Sequence, residues 1–167
     1  MNIFYTNECP IQTALDHNKV HQVKQILEFA QMLSTAHFVL DGTVTEYKPT
    51  HPQHPSSIWI RSSVEHYNWS VRCALHLCKL YTQSTGKIHA TQRVLEQLST
   101  PPRRIASAKF REPPVAAPDE FKAISIFQSA TVAYQKYLCS KYKEWQQRDK
   151  PIRVEWSHRV PSWYVNN

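Results

Sequence analysis

Glycine is scarce in this chain, with only Gly42 and Gly86 among 167 residues. Sheet proteins with many hairpins usually contain more glycine, because tight turns place residues at positive φ. Segments with apolar residues at helical spacing occupy most of the remaining sequence. The sequence therefore predicts an all-α fold, a single compact domain over residues 1–167 with three to five helices and long irregular loops.

Four segments carry the helical pattern. They run from Pro10 to about Ala36 with a loosening near DHNK, from about Ser56 to Ser84, from about Thr91 to Leu98, and from Asp119 to about Trp145. The second is long for a globular helix, so a kink or break is expected in it, and Gly86 is its expected stop. In the first segment the expected core face consists of Val20, Val23, Ile26, Leu27, Ala30 and Leu33.

The charge and the apolar content of the chain indicate which kinds of partner the protein binds. The net charge is +7, with nine further histidines, and a surplus of this size favours a polyanion, of which nucleic acid is the commonest. Simple solubility is the alternative. No apolar run approaches the roughly 18 residues of a membrane span, and MNIFYTNECP lacks the features of a secretion signal. We therefore expect a cytoplasmic protein whose four cysteines are reduced and mostly buried.

Polar side chains recur along residues 16–33, DHNKVHQVKQILEFAQML, at intervals of four, three, four and three residues. At about 100° per residue they would share one stripe of a helix. The stripe consists of His17, His21, Lys24, Glu28 and Gln31. A solvated face is the commoner explanation of such spacing, and one wall of a site, with a carboxylate flanked by groups that set its charge, is the other.

Two histidine pairs have a spacing that suits metal ligands: His17 with His21, and His51 with His54 in HPQHP. The chain lacks a His-Glu-x-x-His pattern, and HPQHP lies in a proline-rich loop. These histidines are therefore expected at the surface or in loops, and no metal or other cofactor is expected.

Cations and aromatic residues mix in two further segments. Residues 100–118, TPPRRIASAKFREPPVAAP, are predicted to form an irregular surface loop, which we call the basic loop. Its cations are Arg103, Arg104, Lys109 and Arg111. In the tail, residues 146–167, Trp163 and Tyr164 follow several arginines. Such mixtures grip phosphates and stack on unpaired bases, although the tail aromatics could equally be core residues that fix the C-terminal segment.

Three features together resemble a known family. His21 and Glu28, seven residues apart near the N-terminus of a small basic helical protein, resemble the pyrimidine-dimer DNA glycosylases of the phage endonuclease V type. VPSWY (residues 160–164) is similar to the Pro-Thr-Trp-Tyr ending of that family, and HPSSIWIRSSVEHYNWSVRCALHLCKLY (residues 54–81) resembles the start of its second long helix. The resemblance covers most of the chain and implies an endonuclease V-like fold that binds double-stranded DNA as a monomer.

In that family the N-terminal α-amine attacks the sugar C1′ of a damaged nucleotide, displaces the base and leaves an imine that undergoes strand-cleaving elimination. A glutamate on the first long helix assists. The resemblance thus implies that Glu28 is the catalytic carboxylate, that the amine of Met1 is the nucleophile, and that His21 is a neighbouring DNA contact. The family places arginines beside its glutamate and three residues after it, where this chain has Leu27 and Gln31.

The function predicted from the sequence is a DNA glycosylase with abasic-site lyase activity on a damaged or modified pyrimidine, in the host-cell cytoplasm if the chain is phage-encoded. A group-transferring enzyme that modifies a pyrimidine in phage-like DNA, with Glu28 as base and no role for the amine, is one alternative. A non-catalytic protein that binds bent or damaged DNA is the other. The candidate DNA contacts are His17, His21, Lys24, Gln31, Arg103, Arg104, Lys109, Arg111, Trp163 and Tyr164.

Overall fold

The computed structural model describes residues 1–164, and in that part of the chain every regular element is a helix. The helices are α1 (Pro10–Asp16), α2 (Lys19–Asp41), α3 (Pro55–Arg61), α4 (Val64–Thr85), α5 (Gln92–Gln97), α6 (Asp119–Phe127) and α7 (Ala130–Gln146). The all-α prediction is confirmed. No helix within these residues is long and apolar enough to cross a membrane.

Within residues 1–164 seven helices replace the predicted three to five, because three predicted segments are each divided by a capping residue. Asn18 starts α2 by accepting a hydrogen bond from the backbone N–H of His21, and Ser63 starts α4 through the N–H of Glu65. Ser129 does the same for α7 through the N–H of Val132. Such side chains satisfy backbone donors that a helix start leaves unpaired, which stabilises a new helix at each point.

Both glycines end helices. Gly42 follows α2 and Gly86 follows α4, each at φ 70°. A left-handed residue at this position lets the backbone N–H turn back to the last carbonyls of the helix, and glycine adopts it without steric cost. The predicted stop at Gly86 is confirmed.

Helix α4 lies at the centre and packs against α1, α2, α3 and α5, while α6 packs against α7. The largest fully buried side chains include Tyr5, Phe29, Tyr67, Leu77 and Tyr134. Among the cysteines, Cys73 and Cys78 are buried in this core, and no two cysteines form a disulfide within residues 1–164.

The N-terminal segment is part of the core. Ile3, Phe4, Tyr5 and Thr6 are buried, although they precede the first helix. The Phe4 ring lies 4.6 Å from the His21 ring of α2 and 6.2 Å from the Tyr137 ring of α7, measured between centroids. The segment therefore runs between α2 and α7, and it carries Met1 to the place where these helices face each other.

Helix α2 is turned differently from the prediction. Val20, Val23 and Leu27 are exposed, whereas His21, Gln25 and Glu28 are buried. The predicted apolar face is therefore wrong for those three aliphatic residues. The physical reason is that the N-terminal segment covers the polar side of α2 and supplies hydrogen-bond partners to Glu28, which reduces the cost of burying it.

Candidate functional site

A cavity of about 460 Å³ lies where the N-terminal segment, α2 and α7 meet. We call it the Glu28 cavity. Its wall is formed by Met1, Asn2, Phe4, Val20, His21, Lys24, Glu28, Tyr137, Lys141, Trp145, Arg148 and Ile152. The volume suits a small organic group such as a nucleobase with its sugar.

The two carboxylate oxygens of Glu28 have different neighbours. Oε2 accepts hydrogen bonds from the backbone N–H of Asn2 at 2.9 Å and from the Gln25 side-chain amide at 3.0 Å. Oε1 lies 3.4 Å from the Lys24 ammonium and 3.8 Å from the α-amine of Met1. Oε2 thus fixes the carboxylate, while Oε1 faces two amines with which it can exchange protons.

The α-amine is held in place by its neighbours in the chain. The side chain of Met1 is only 5% exposed, and the Ser57 hydroxyl of α3 lies 3.6 Å from its sulfur. The Asn2 side chain donates to the carbonyl of Ala116 at 2.7 Å and accepts from the Tyr134 hydroxyl at 2.9 Å. These contacts place the amine beside Glu28 with little freedom to move away.

His21 lies within α2 and is buried against aromatic rings, so the expectation that it lies at the surface or in a loop is wrong. Its Nδ1 shares a hydrogen bond of 2.9 Å with the Tyr142 hydroxyl, and its ring lies 4.9 Å from that of Trp145. Burial, reinforced by the nearby His17, Lys141 and Lys24, lowers the pKa of His21 to about 2. The ring is therefore neutral at physiological pH and can offer the cavity a hydrogen bond but no charge.

Two members of the predicted stripe lie elsewhere. His17 is not on α2: it follows α1, is buried, and has its Nδ1 2.6 Å from the carbonyl of Thr13. Its place on the helical stripe was predicted wrongly, because the cap at Asn18 starts a separate helix after it. Gln31 is half-buried on α2 beyond the residues that line the cavity. His21, Lys24 and Glu28 do share one wall, as predicted.

The wall from α7 was not predicted. The wall contains Tyr137, Lys141 and Trp145 of α7, and Arg148 two residues after its end, at intervals of four, four and three residues. The same type of spacing marked α2. Trp145 was predicted only as the approximate end of the fourth helical segment. The periodicity of the two cations could have shown this second polar face.

The basic loop is irregular, as predicted, and none of its four cations lines the Glu28 cavity. Arg103 and Arg104 line a second groove of about 560 Å³ with His37 and Asp41, and their backbone N–H groups donate to the Asp41 carboxylate. Lys109 is exposed, and Arg111 is tied by its backbone to the side chains of Trp59 and His66. We call the second groove the Arg103 groove.

The aromatic residues of the tail are packed against the helices. The Trp163 indole N–H donates to the Asp16 carboxylate at 3.0 Å, and the Tyr164 ring lies 4.8 Å from the Trp156 ring. Both side chains are half-buried. This placement supports the alternative in which these residues fix the C-terminal segment, and residues 165–167 lie outside the described part.

The histidines of HPQHP have local partners. His54 begins α3 by accepting a hydrogen bond from the N–H of Ser56, and His51 lies 2.6 Å from the Thr50 hydroxyl. Within residues 1–164 no group of three or more histidine, cysteine, aspartate or glutamate side chains is placed to hold a metal ion.

Comparison with family models, with curated proteins and with solved structures gives no significant match. The site must therefore be interpreted from its own geometry. A primary amine and a carboxylate side by side, in a cavity with aromatic walls and three cations, can form and break an imine with a carbonyl or acetal carbon.

Proposed function

We propose that the protein is a DNA glycosylase with abasic-site lyase activity, in which the α-amine of Met1 is the nucleophile and Glu28 moves the protons. The observation that supports this most directly is the separation of 3.8 Å between the Met1 amine and Oε1 of Glu28. Its partner is double-stranded DNA, bound by a monomer in the cytoplasm. The substrate class is a damaged or modified pyrimidine nucleotide.

The reaction begins when Glu28 takes a proton from the Met1 ammonium. The freed nitrogen attacks C1′ of the sugar, and the C1′–N1 bond breaks with its electron pair leaving on the base. The nitrogen loses its second proton to solvent, and Glu28 returns its own proton to O4′ as the C1′–O4′ bond opens, which gives an imine between C1′ and the nitrogen. Glu28 then takes a proton from C2′, the 3′-phosphate is expelled by elimination, and water releases the sugar fragment from the amine.

Of the two amines that face Oε1, the α-amine suits the nucleophile better. An α-amine as a class loses its proton more readily than a lysine side chain. Lys24 projects from α2 with 64% of its side chain exposed, whereas the Met1 amine is fixed by the contacts of Met1 and Asn2. Lys24 instead adds positive charge beside Glu28 and close to where a DNA phosphate would pass.

The cavity also supports extrusion of a nucleotide. The rings of Phe4, Tyr137 and Trp145 offer apolar surfaces for a base removed from its stack. Damage that weakens stacking lowers the cost of extrusion by a few kcal/mol, which favours damaged nucleotides.

The test is borohydride trapping on a duplex with one abasic site. Borohydride reduces an imine to a stable amine, so we expect a covalent protein–DNA adduct with the wild-type protein. Glu28→Gln should abolish the adduct but spare binding. An N-terminally acetylated protein, whose amine is blocked, should bind and give no adduct.

Binding without an adduct would overturn the proposal, and two results would then separate the alternatives. The group-transferring enzyme predicts that Glu28→Gln still abolishes modification of a pyrimidine while acetylation has no effect. The non-catalytic binding protein predicts that neither change has an effect beyond affinity.

A further inference from the structure

Three cationic side chains line the Glu28 cavity besides the Met1 ammonium, and among the described residues one of the three forms no salt bridge. Lys24 lies 3.4 Å from Oε1 of Glu28, and Arg148 donates to Oε1 of Glu144 at 2.7 Å. Lys141 has no carboxylate within 4 Å among residues 1–164. Arg148 first, and Lys141 at longer range, lower the pKa of the Glu144 carboxyl. The Lys141 ammonium is thus not held in a salt bridge and can interact with a group that enters the cavity.

The position of Lys141 is defined by two rings of the same helix. Its ammonium lies 5.6 Å from the ring centroid of Tyr137 and 5.6 Å from that of Trp145. At this distance the faces of aromatic rings attract a cation, so the ammonium is held in the wall without being neutralised. The same two rings line the cavity, so a base in contact with their edges would lie next to the ammonium.

A pyrimidine that leaves the sugar needs a cation such as the Lys141 ammonium beside it. When the C1′–N1 bond breaks, the base leaves with the bonding electron pair, and the negative charge spreads over N1 and O2. A cation positioned where charge develops stabilises the transition state more than the ground state. A proton transferred to the base also prevents its return to C1′.

The other groups of the cavity are less suited to this task. Lys24 is already engaged with Glu28, which takes up a proton at the same stage. Burial and neighbouring positive charge lower the pKa of His21 to about 2, so this ring has no proton to spare at neutral pH. Arg148 pairs with Glu144 at the edge of the cavity and does not readily give up a proton.

The geometry points to Lys141 as a further catalytic residue, which rests on the proposed glycosylase function: it contacts the pyrimidine that leaves. As the glycosidic bond breaks, the Lys141 ammonium binds O2 and N1 of the pyrimidine anion and gives it one proton. The neutral base then departs, and the lysine regains its proton from solvent. Tyr137 and Trp145 act as positioning residues for this ammonium.

This assignment separates the two chemical steps. Base release needs Lys141, whereas cleavage at a preformed abasic site does not, because no base departs there. Glu28 serves both steps, since the amine must lose a proton in each. Lys141→Met and Glu28→Gln should therefore produce different patterns of loss.

The experiment compares four duplexes: one with a preformed abasic site, one with a thymine dimer, one with a mispaired thymine and one with a mispaired 5-fluorouracil. We expect Lys141→Met to slow base release by about 100-fold, within the range for loss of one proton-transfer or charge-stabilising group. Abasic-site cleavage and borohydride trapping should stay within about twofold of wild type. The loss should be smaller for 5-fluorouracil, whose anion is more stable than that of thymine.

Two variants serve as controls. Lys141→Arg keeps the charge and should restore part of the base release, while Lys143→Met removes an exposed lysine of α7 outside the cavity and should change neither step. Equal loss of both steps in Lys141→Met, or no loss, would overturn the assignment. So would a wild-type protein that cleaves the abasic duplex but breaks the glycosidic bond of the target nucleotide in none of the other three duplexes. Absence of trapping in the wild type would instead overturn the proposed function itself.

Discussion

The Glu28 cavity and the Arg103 groove are both lined by cations and both lie against α2, yet they are built differently. In the cavity a buried carboxylate has four defined partners, two hydrogen-bond donors on one oxygen and two amines near the other. In the groove the carboxylate of Asp41 binds the backbone of the arginines, whose side chains are exposed. Two regions with similar positive charge therefore differ in how their carboxylates are held.

The two regions also face different directions. Glu28 and His37, which lines the groove, are nine residues apart on α2. At about 100° and 1.5 Å per residue, this separation is roughly half a turn around the helix and about 14 Å along it. A straight duplex seated on the cavity would not reach the Arg103 groove, so we expect chemistry and first contact with DNA to depend on the cavity.

The largest expected effect concerns Glu28. Glu28→Gln keeps the size of the side chain but removes its ability to accept the proton of the amine, and proton transfer of this kind contributes about 10²- to 10⁴-fold. We expect abasic-site cleavage to fall by at least about 100-fold with unchanged duplex affinity, measured by single-turnover kinetics and by fluorescence anisotropy. The matched change in the groove, Asp41→Asn, should leave the cleavage rate within about twofold, and a comparable loss there would remove the distinction between the regions.

Acidification should destabilise the protein through the buried histidines. Burial lowers the pKa of both His17 and His21, that of His21 to about 2. Below about 6.5, and for His21 down to about 2, the unfolded chain binds protons that the folded protein does not. The free energy of unfolding therefore falls as pH falls, by up to about 1.4 kcal/mol per pH unit for each histidine. Chemical denaturation from pH 7 to pH 4 measures this slope.

His21→Phe should make that slope shallower by up to one proton, because Phe has no group to titrate. If His21→Phe and the wild-type protein show the same slope, then His21 is charged in the folded state. That result would contradict the conclusion that the His21 ring on the cavity wall is neutral.

Removal of the hydroxyl from either of two buried tyrosines should lower stability by a similar amount, but only one of the changes should slow the reaction with DNA. Tyr142 bonds to His21, whereas Tyr134 bonds to the Asn2 side chain that holds the N-terminal segment. Removal of either hydroxyl by Tyr→Phe should lower the free energy of unfolding by about 1–3 kcal/mol, since a buried partner is left unpaired. Only Tyr134→Phe should also slow borohydride trapping, and equal trapping rates would show that Asn2 does not position the amine.

The smallest expected effect concerns the groove. Arg103→Ala with Arg104→Ala should leave trapping on a short duplex unchanged within about twofold. If both side chains contact phosphates of a longer or bent duplex, log affinity against log salt concentration should become shallower by about two. A large loss of affinity for the short duplex would place the basic loop in the main interface after all.

The helical architecture could be read from the sequence because it depends on local signals. Gly86 ends α4 because glycine readily adopts the left-handed conformation found there. Pro10 and Pro55 lie at the first positions of α1 and α3, where proline is favoured. The break before Ser129 was missed, because a serine within a helical pattern differs from a cap only in its backbone conformation. Periodicity identifies a helix but does not mark such interruptions.

The arrangement of the candidate site could not be predicted from helical periodicity alone. The exposure of Val20 and Leu27 and the burial of Glu28 follow from the course of residues 1–6, which no local pattern encodes. Glu28 was predicted as a site residue from its interval to His21 and from the resemblance of the two ends of the chain to a family pattern. The proposed role of Lys141 could not be predicted from the sequence. Its contact with the Tyr137 ring, and the pairing of Glu144 with Arg148, are seen only in the structure.

The central claim is that the α-amine of Met1, and not a lysine, forms the covalent bond to DNA. It is tested most directly by peptide mapping of the adduct trapped by borohydride on an abasic duplex, with mass spectrometry to locate the modified residue. The account predicts the sugar fragment on the nitrogen of Met1 in the N-terminal peptide. Modification of Lys24 or Lys141 instead, with Met1 unmodified, would contradict it.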